Sequence, residues 1–197
     1  AAGNTGNTVT ENTISGNGAD RPANSVYAFT STLTNAGFIT YNEFFDFLSL
    51  SQTSNGVYLH TGSTPWQVNF NRFYETTNFS PTADVDYAVI RRLATGGSNQ
   101  INSNVIGGNA AGGSSRWLKA NSANNLFYAI YIEGGSGSLN ANTIQLFDWS
   151  NSGNASWTGI HIQSGSFGIG ALNNGNTIGS VNGTDNIILT QGTTSGT

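Results

Sequence analysis

Ile101-Asn102-Ser103-Asn104-Val105-Ile106 holds the pattern that decides the fold: an apolar residue, two residues, Asn, one residue, and a second apolar residue. The pattern recurs as Val9-x-x-Asn12-x-Ile14, Ile39-x-x-Asn42-x-Phe44, Val68-x-x-Asn71-x-Phe73 and Leu139-x-x-Asn142-x-Ile144. A sixth copy, Asn176-x-Ile178, carries Asn173 at the first apolar position, with Leu172 one residue away. The chain has 27 Asn, so one match means little, but spacings of 30, 29, 33, 38 and 34 residues between the six mark a repeat.

Each copy is followed, after a polar loop, by a second short stretch rich in β-branched and aromatic residues: 26–29, 57–60, 87–90, 128–132, 160–162 and 187–189. Asn-Gly pairs at 17–18, 55–56, 174–175 and 182–183 punctuate them, which reads as strand and turn. Residues 115–124 in the long fourth repeat are the one stretch compatible with a helical turn. Two or three strands per repeat of this length predict an all-β solenoid of about six coils, with equivalent strands stacked about 4.8 Å apart. The inward set is then Val9, Ile14, Ile39, Phe44, Val68, Phe73, Ile101, Ile106, Leu139, Ile144 and Ile178, joined by Val57, Leu59, Ile130, Ile160, Ile162 and Ile187. Asn12, Asn42, Asn71, Asn104, Asn142 and Asn176 fall at sharp bends. There Asn tolerates the left-handed backbone region, and its amide offers donor and acceptor to the equivalent Asn one coil away, forming a ladder.

These residues resemble the parallel β-helix proteins of the pectin-lyase-like type, whose coils carry Asn ladders. Asn-Thr-Ile at 12–14, 142–144 and 176–178 is similar to the β-helix arrays of large secreted bacterial surface proteins, adhesins of the Bacteroidota among them. The resemblance covers residues 7 to about 190. It implies a right-handed parallel β-helix, in keeping with the hand of parallel crossovers, and an extracellular or cell-surface location.

Composition narrows the function classes. At 197 residues the chain is one domain, 1–197, and the polar start at Ala1 suggests a piece of a longer repeat protein. Only 8% of residues are charged, while 26 are Gly and 72 are Asn, Ser or Thr. Like charges stacked coil on coil would repel, whereas amides and hydroxyls stack and hydrogen-bond. A net charge of -4 without a basic stripe argues against nucleic acid. No apolar run reaches the length of a membrane span, and the absence of Cys removes thiol chemistry and Cys-ligated zinc.

The charged residues are few enough to weigh individually. Glu43 and Arg72 follow the Asn in adjacent repeats and predict a cross-coil ion pair. Asp46 and Glu75, four residues after it, are the candidate catalytic carboxylates, since stacking brings them near the 5 to 5.5 Å used by retaining glycosidases; the alternative is two solvated acids past a bend. Asp84 and Asp86 are a weak candidate metal site, short of a third ligand. His60 and His161 lack the Gly-His-Gly context of polygalacturonase-like hydrolases and read as outward strand residues.

Alternation also turns Tyr27, Tyr58, Tyr131 and His161 outward into one column, a candidate ligand-binding face for sugar rings or a protein partner unless loops cover it. Trp66, Trp117, Trp149 and Trp157 fall in or near loops and are candidates to extend that face. A Thr-x-Thr run at 30–34, of the kind that binds ice, does not recur in other coils, and acceptor triplets for glycosylation at Asn78, Asn154 and Asn182 arise freely in this composition.

The sequence thus reads as a non-enzymatic stalk or adhesion module, with a surface glycan or a protein as ligand, neighbouring repeats or an oligomer covering its open ends, and no cofactor. A polysaccharide hydrolase or lyase and a trimeric fibre like a phage tail spike are the alternatives.

Overall fold

The computed structural model describes residues 6–29, 36–63, 65–93, 95–120, 122–180 and 187–192. All described regular structure is β, and the strands pair in parallel through successive turns of a solenoid. The first sheet stacks Asn7–Thr10, Gly37–Thr40, Trp66–Asn69, Asn99–Asn102, Ser136–Asn140 and Ser166–Ile169. The second stacks Thr13–Ser15, Glu43–Phe45, Arg72–Tyr74, Val105–Ile106, Thr143–Ile144 and Thr177–Ile178. The third has five strands: Asn24–Ala28, Ser54–Leu59, Tyr87–Arg92, Phe127–Ile132 and Trp157–Ile162. Six repeats therefore make about five full turns, because the sixth adds strands to the first two sheets and none, among the described residues, to the third.

The inward columns fill the core. In the second sheet Ile14, Phe44, Phe73, Ile106, Ile144 and Ile178 share one register, and the Phe44 and Phe73 rings stack at 4.6 Å. Residues of the middle coils are fully buried, those of the first coil are partly so, and Ile178 in the last coil is exposed. A terminal coil has a neighbour on one side only.

The six amides form one continuous ladder. Asn12 Nδ2 donates to Asn42 Oδ1 (3.0 Å), Asn42 to Asn71 (2.9 Å), Asn71 to Asn104 (3.0 Å), Asn104 to Asn142 (3.0 Å) and Asn142 to Asn176 (2.9 Å). Each Oδ1 from Asn42 onward also accepts the backbone N–H of the preceding rung, and each Nδ2 from Asn42 onward donates to a first-sheet carbonyl, such as Asn104 to Val68 at 2.8 Å. An amide has two donors and an acceptor with two lone pairs, so an internal rung uses all four.

The left-handed residue at this corner is not the Asn but the one before it: Glu11, Tyr41, Phe70, Ser103 and Ala141 have φ between 54° and 59°. Their N–H groups still continue the first sheet, as in Ser103 N to Asn140 O at 2.9 Å, while the next N–H turns inward to the neighbouring amide. Hydrogen bonds on both sides impose the conformation, whatever the residue.

The described residues of 115–124 hold no helix. Trp117–Lys119 is a strand that starts a fourth sheet with Phe147–Asn151 and Ile187–Gln191. Trp117 and Trp149 point into the core from it and Trp66 is buried in the first sheet, while Trp157 packs half-buried against the core. The tryptophans therefore pack with the core: Trp117 and Trp149 because the loop between the second and third sheets folds inward there, Trp66 and Trp157 from the first and third sheets themselves.

Candidate functional site

The third sheet carries the predicted column. Tyr27 is in register with Tyr58, Tyr58 with Arg91, Arg91 with Tyr131, and Tyr131 with His161. Tyr27 is more than half exposed, and Tyr58, Tyr131 and His161 are half-buried. Arg91, which the sequence reading did not place here, closes the gap in the third coil. Its guanidinium lies 5.0 Å from the centre of the Tyr58 ring and 5.4 Å from that of Tyr131, so the stack is ring, cation, ring. Glu133 holds it in a two-pronged pair, with Nε to Oε2 and NH2 to Oε1 both at 2.9 Å, which raises the Arg91 pKa further and leaves the column neutral there.

Further rings widen the column at both ends. Phe29 and His60 pack edge to face at 5.0 Å beside Tyr27 and Tyr58. Tyr128 stacks on Tyr131 at 4.5 Å, and His161 meets both edge-on. Tyr128 and Tyr131 both face outward although three residues apart, because strict alternation breaks at Ala129, where pairing skips a residue and Ala129 and Ile130 are both buried. Beside these rings a cavity of about 150 Å³ is lined by Asn55, Asp86, Arg91, Tyr128 and Tyr131 among others. Burial raises the Tyr58, Tyr128 and Tyr131 phenol pKa values, so these side chains meet a ligand as neutral hydroxyls.

The acids Asp46 and Glu75 do come together, around Arg21. Arg21 NH1 lies 2.5 Å from Glu75 Oε1, and NH2 lies 3.9 Å from Asp46 Oδ1. Gly16 makes room for the arginine, since a Cβ there would sit 2.7 Å from Arg21 Cγ. Asp46 Oδ1 also accepts the Thr76 N–H at 2.8 Å. Glu75 is enclosed, and neither of its oxygens accepts a well-aligned hydrogen bond. Burial pushes its carboxyl up to about 9; the Arg21 charge opposes the shift, and Asp46, within hydrogen-bonding reach, reinforces it. Neither carboxyl lines the cavity beside Tyr128, so the pair does not open on that space. The arrangement is an arginine between two carboxyls, Glu75 enclosed and Asp46 half-buried at its edge.

The remaining candidates are quickly placed. Glu43 and Arg72 are register partners but do not form an ion pair; Glu43 Oε2 instead accepts from the Tyr74 hydroxyl at 3.3 Å. Asp84 Oδ1 accepts the Asn124 N–H at 2.7 Å, Asp86 lines the cavity beside Tyr128, and no group of three or more His, Asp or Glu gathers among the described residues. Residues 30–34 and Asn182 lie outside the described residues.

Two features had no signal in residue type alone. Arg92 and Lys119 are buried cations held by backbone carbonyls. Arg92 NH2 donates to Gly96 O at 2.6 Å and the guanidinium also reaches Gly134 O, while Lys119 Nζ donates to Ala123 O at 2.6 Å and to Asn151 Oδ1 at 3.0 Å. Burial lowers the two pKa values to about 10 and about 8. At the ladder corner, Tyr41 and Phe70 stack on the outside at 4.9 Å with rings 4° from parallel, walling a groove of about 480 Å³.

Compared with known proteins, the chain matches no protein-family model, no curated protein and no solved structure. Among the described residues, no helix is long and apolar enough to cross a membrane.

Proposed function

We propose that this chain is a non-enzymatic stalk or adhesion module of a secreted or cell-surface protein, of the pectin-lyase-like β-helix kind, and that its third-sheet column grips an extended glycan. The observation that carries this reading is the unbroken column Tyr27, Tyr58, Arg91, Tyr131 and His161, one residue from each of five coils. At about 4.8 Å per coil it runs roughly 19 Å, the length of a short run of sugar rings. Ring faces supply apolar contact to sugar C–H groups, and Arg91, Asp86 and Asn55 supply donors and acceptors for hydroxyls. The competing reading, a polysaccharide hydrolase or lyase, draws on Asp46 and Glu75, and the enclosure of Glu75 counts against it.

Calorimetric titration with cellohexaose, xylohexaose and mannohexaose tests the proposal. Binding of at least one, weakened roughly tenfold by Tyr131→Ala, is the expected result. Absence of binding to all three at millimolar concentration contradicts it, and release of shorter sugars by the wild type but not by Asp46→Asn supports the enzyme instead.

A further inference from the structure

The groove at the ladder corner lies between the first and second sheets, away from the third-sheet column. One wall is formed by the left-handed residues Tyr41, Phe70 and Ser103, the other by Glu43, Arg72 and Val105, which follow the ladder asparagines. Tyr41 is 58% and Phe70 48% exposed, in a conformation that disfavours bulky side chains. The other coils place Glu11, Ser103 and Ala141 at this position, so the corner itself does not require an aromatic ring. The left-handed conformation is shared by five corners, so what sets this one apart is its pair of exposed rings, an apolar patch of the kind that marks an interaction site.

We infer that this groove is a second carbohydrate site, for a neutral oligosaccharide about two rings long. Parallel rings with centres 4.9 Å apart form an offset stack, which leaves part of each face open as a step along the groove. The aromatic wall ends at Ser103, so the free side of Phe70 opens on a position one coil on where no side-chain ring stands. The opposite wall offers hydrogen bonds: among the described residues Arg72 forms no ion pair, and Glu43 accepts from the Tyr74 hydroxyl. One acid and one base at the groove leave no net charge to attract a polyanion, while hydroxyl groups suit both. Three coils at about 4.8 Å spacing span roughly 10 Å, which limits the ligand to about two sugar rings.

Saturation-transfer NMR with cellotriose, xylotriose and mannotriose tests the site. The variant Tyr41→Asn with Phe70→Asn removes both rings and places at each corner a residue that accepts the left-handed conformation, so its melting temperature should match or exceed that of the wild type. Transfer to sugar C–H protons is expected for at least one trisaccharide, with affinity falling at least tenfold in the double Asn variant, severalfold in Arg72→Ala, and remaining in Tyr131→Ala. The proposal is overturned by no transfer to any of the three at millimolar concentration, by transfer that persists in the double variant, or by a proline-rich peptide occupying the groove in their place. Loss of binding in Tyr131→Ala with retention in the double variant would locate the sugar on the third sheet alone.

Discussion

The molecule has two polar corners, one repeated along the coils and one local, and they are built on opposite terms. At the first corner the internal ladder amides use every donor and acceptor, and the network repeats through six coils. At the second, Arg21, Asp46 and Glu75 form a single cluster in which a buried carboxyl lacks well-aligned donors and stays neutral. A buried polar network that is satisfied stabilises and specifies; one that is partly satisfied makes stability depend on pH. The difference makes the ladder a uniform element of the architecture and the cluster a local, pH-dependent contribution to stability.

Removing a central rung should have the largest effect. Asn104→Ala deletes four hydrogen bonds and strands buried groups on Asn71, Asn142 and Val68, so urea unfolding should show a loss of about 4 kcal/mol. A loss below about 1 kcal/mol would mean that water replaces the rung and that the ladder is not what holds the coils. Arg21→Ala comes next. It leaves the buried Glu75 and the half-buried Asp46 without the cation between them, and about 2 kcal/mol should be lost by the same measurement. Equal stability would show that the cluster is solvated.

The pH dependence of the second corner is a smaller effect with a definite sign. The folded-state pKa of Glu75, about 9, stands above the ordinary 4.5, so the folded chain holds a proton that the unfolded chain gives up. Its contribution is fully present below about pH 4.5 and is lost as pH rises toward 9. Glu75→Gln mimics the neutral acid and should flatten the melting temperature across that window; an unchanged slope would assign the titration to another group. The smallest effect should come from Asn12→Ala at the exposed first rung, where the side chain donates but its Oδ1 accepts from none of the described residues, at about 1 kcal/mol or less.

Much of the first corner was legible because stacking requires the same residue type in every coil, which writes a period into the sequence. The left-handed residue was not, since Glu11, Tyr41, Phe70, Ser103 and Ala141 share no chemistry and take their conformation from hydrogen bonds around them. The column Tyr27, Tyr58, Tyr131 and His161 followed from alternation; Arg91 was hidden by being the one coil without a ring, and Tyr128 by the break in pairing at Ala129. Residues 115–124 were misread as a helical turn, because a three-residue strand gives too short a pattern to outweigh the polar loop around it. Arg21 joins Glu75 from 54 positions away through the loop after Gly16, a contact that no local pattern encodes.

The most direct test of a binding module that acts on its outer face is a titration of isotope-labelled protein with cellohexaose, xylohexaose and mannohexaose. Amide shifts and sugar length should be followed in the same sample. Shifts along Tyr27, Tyr58, Arg91, Tyr131 and His161 with the sugar intact are the result predicted here. Shifts confined to Asp46 and Glu75, or a hexasaccharide cut to shorter products, would contradict it.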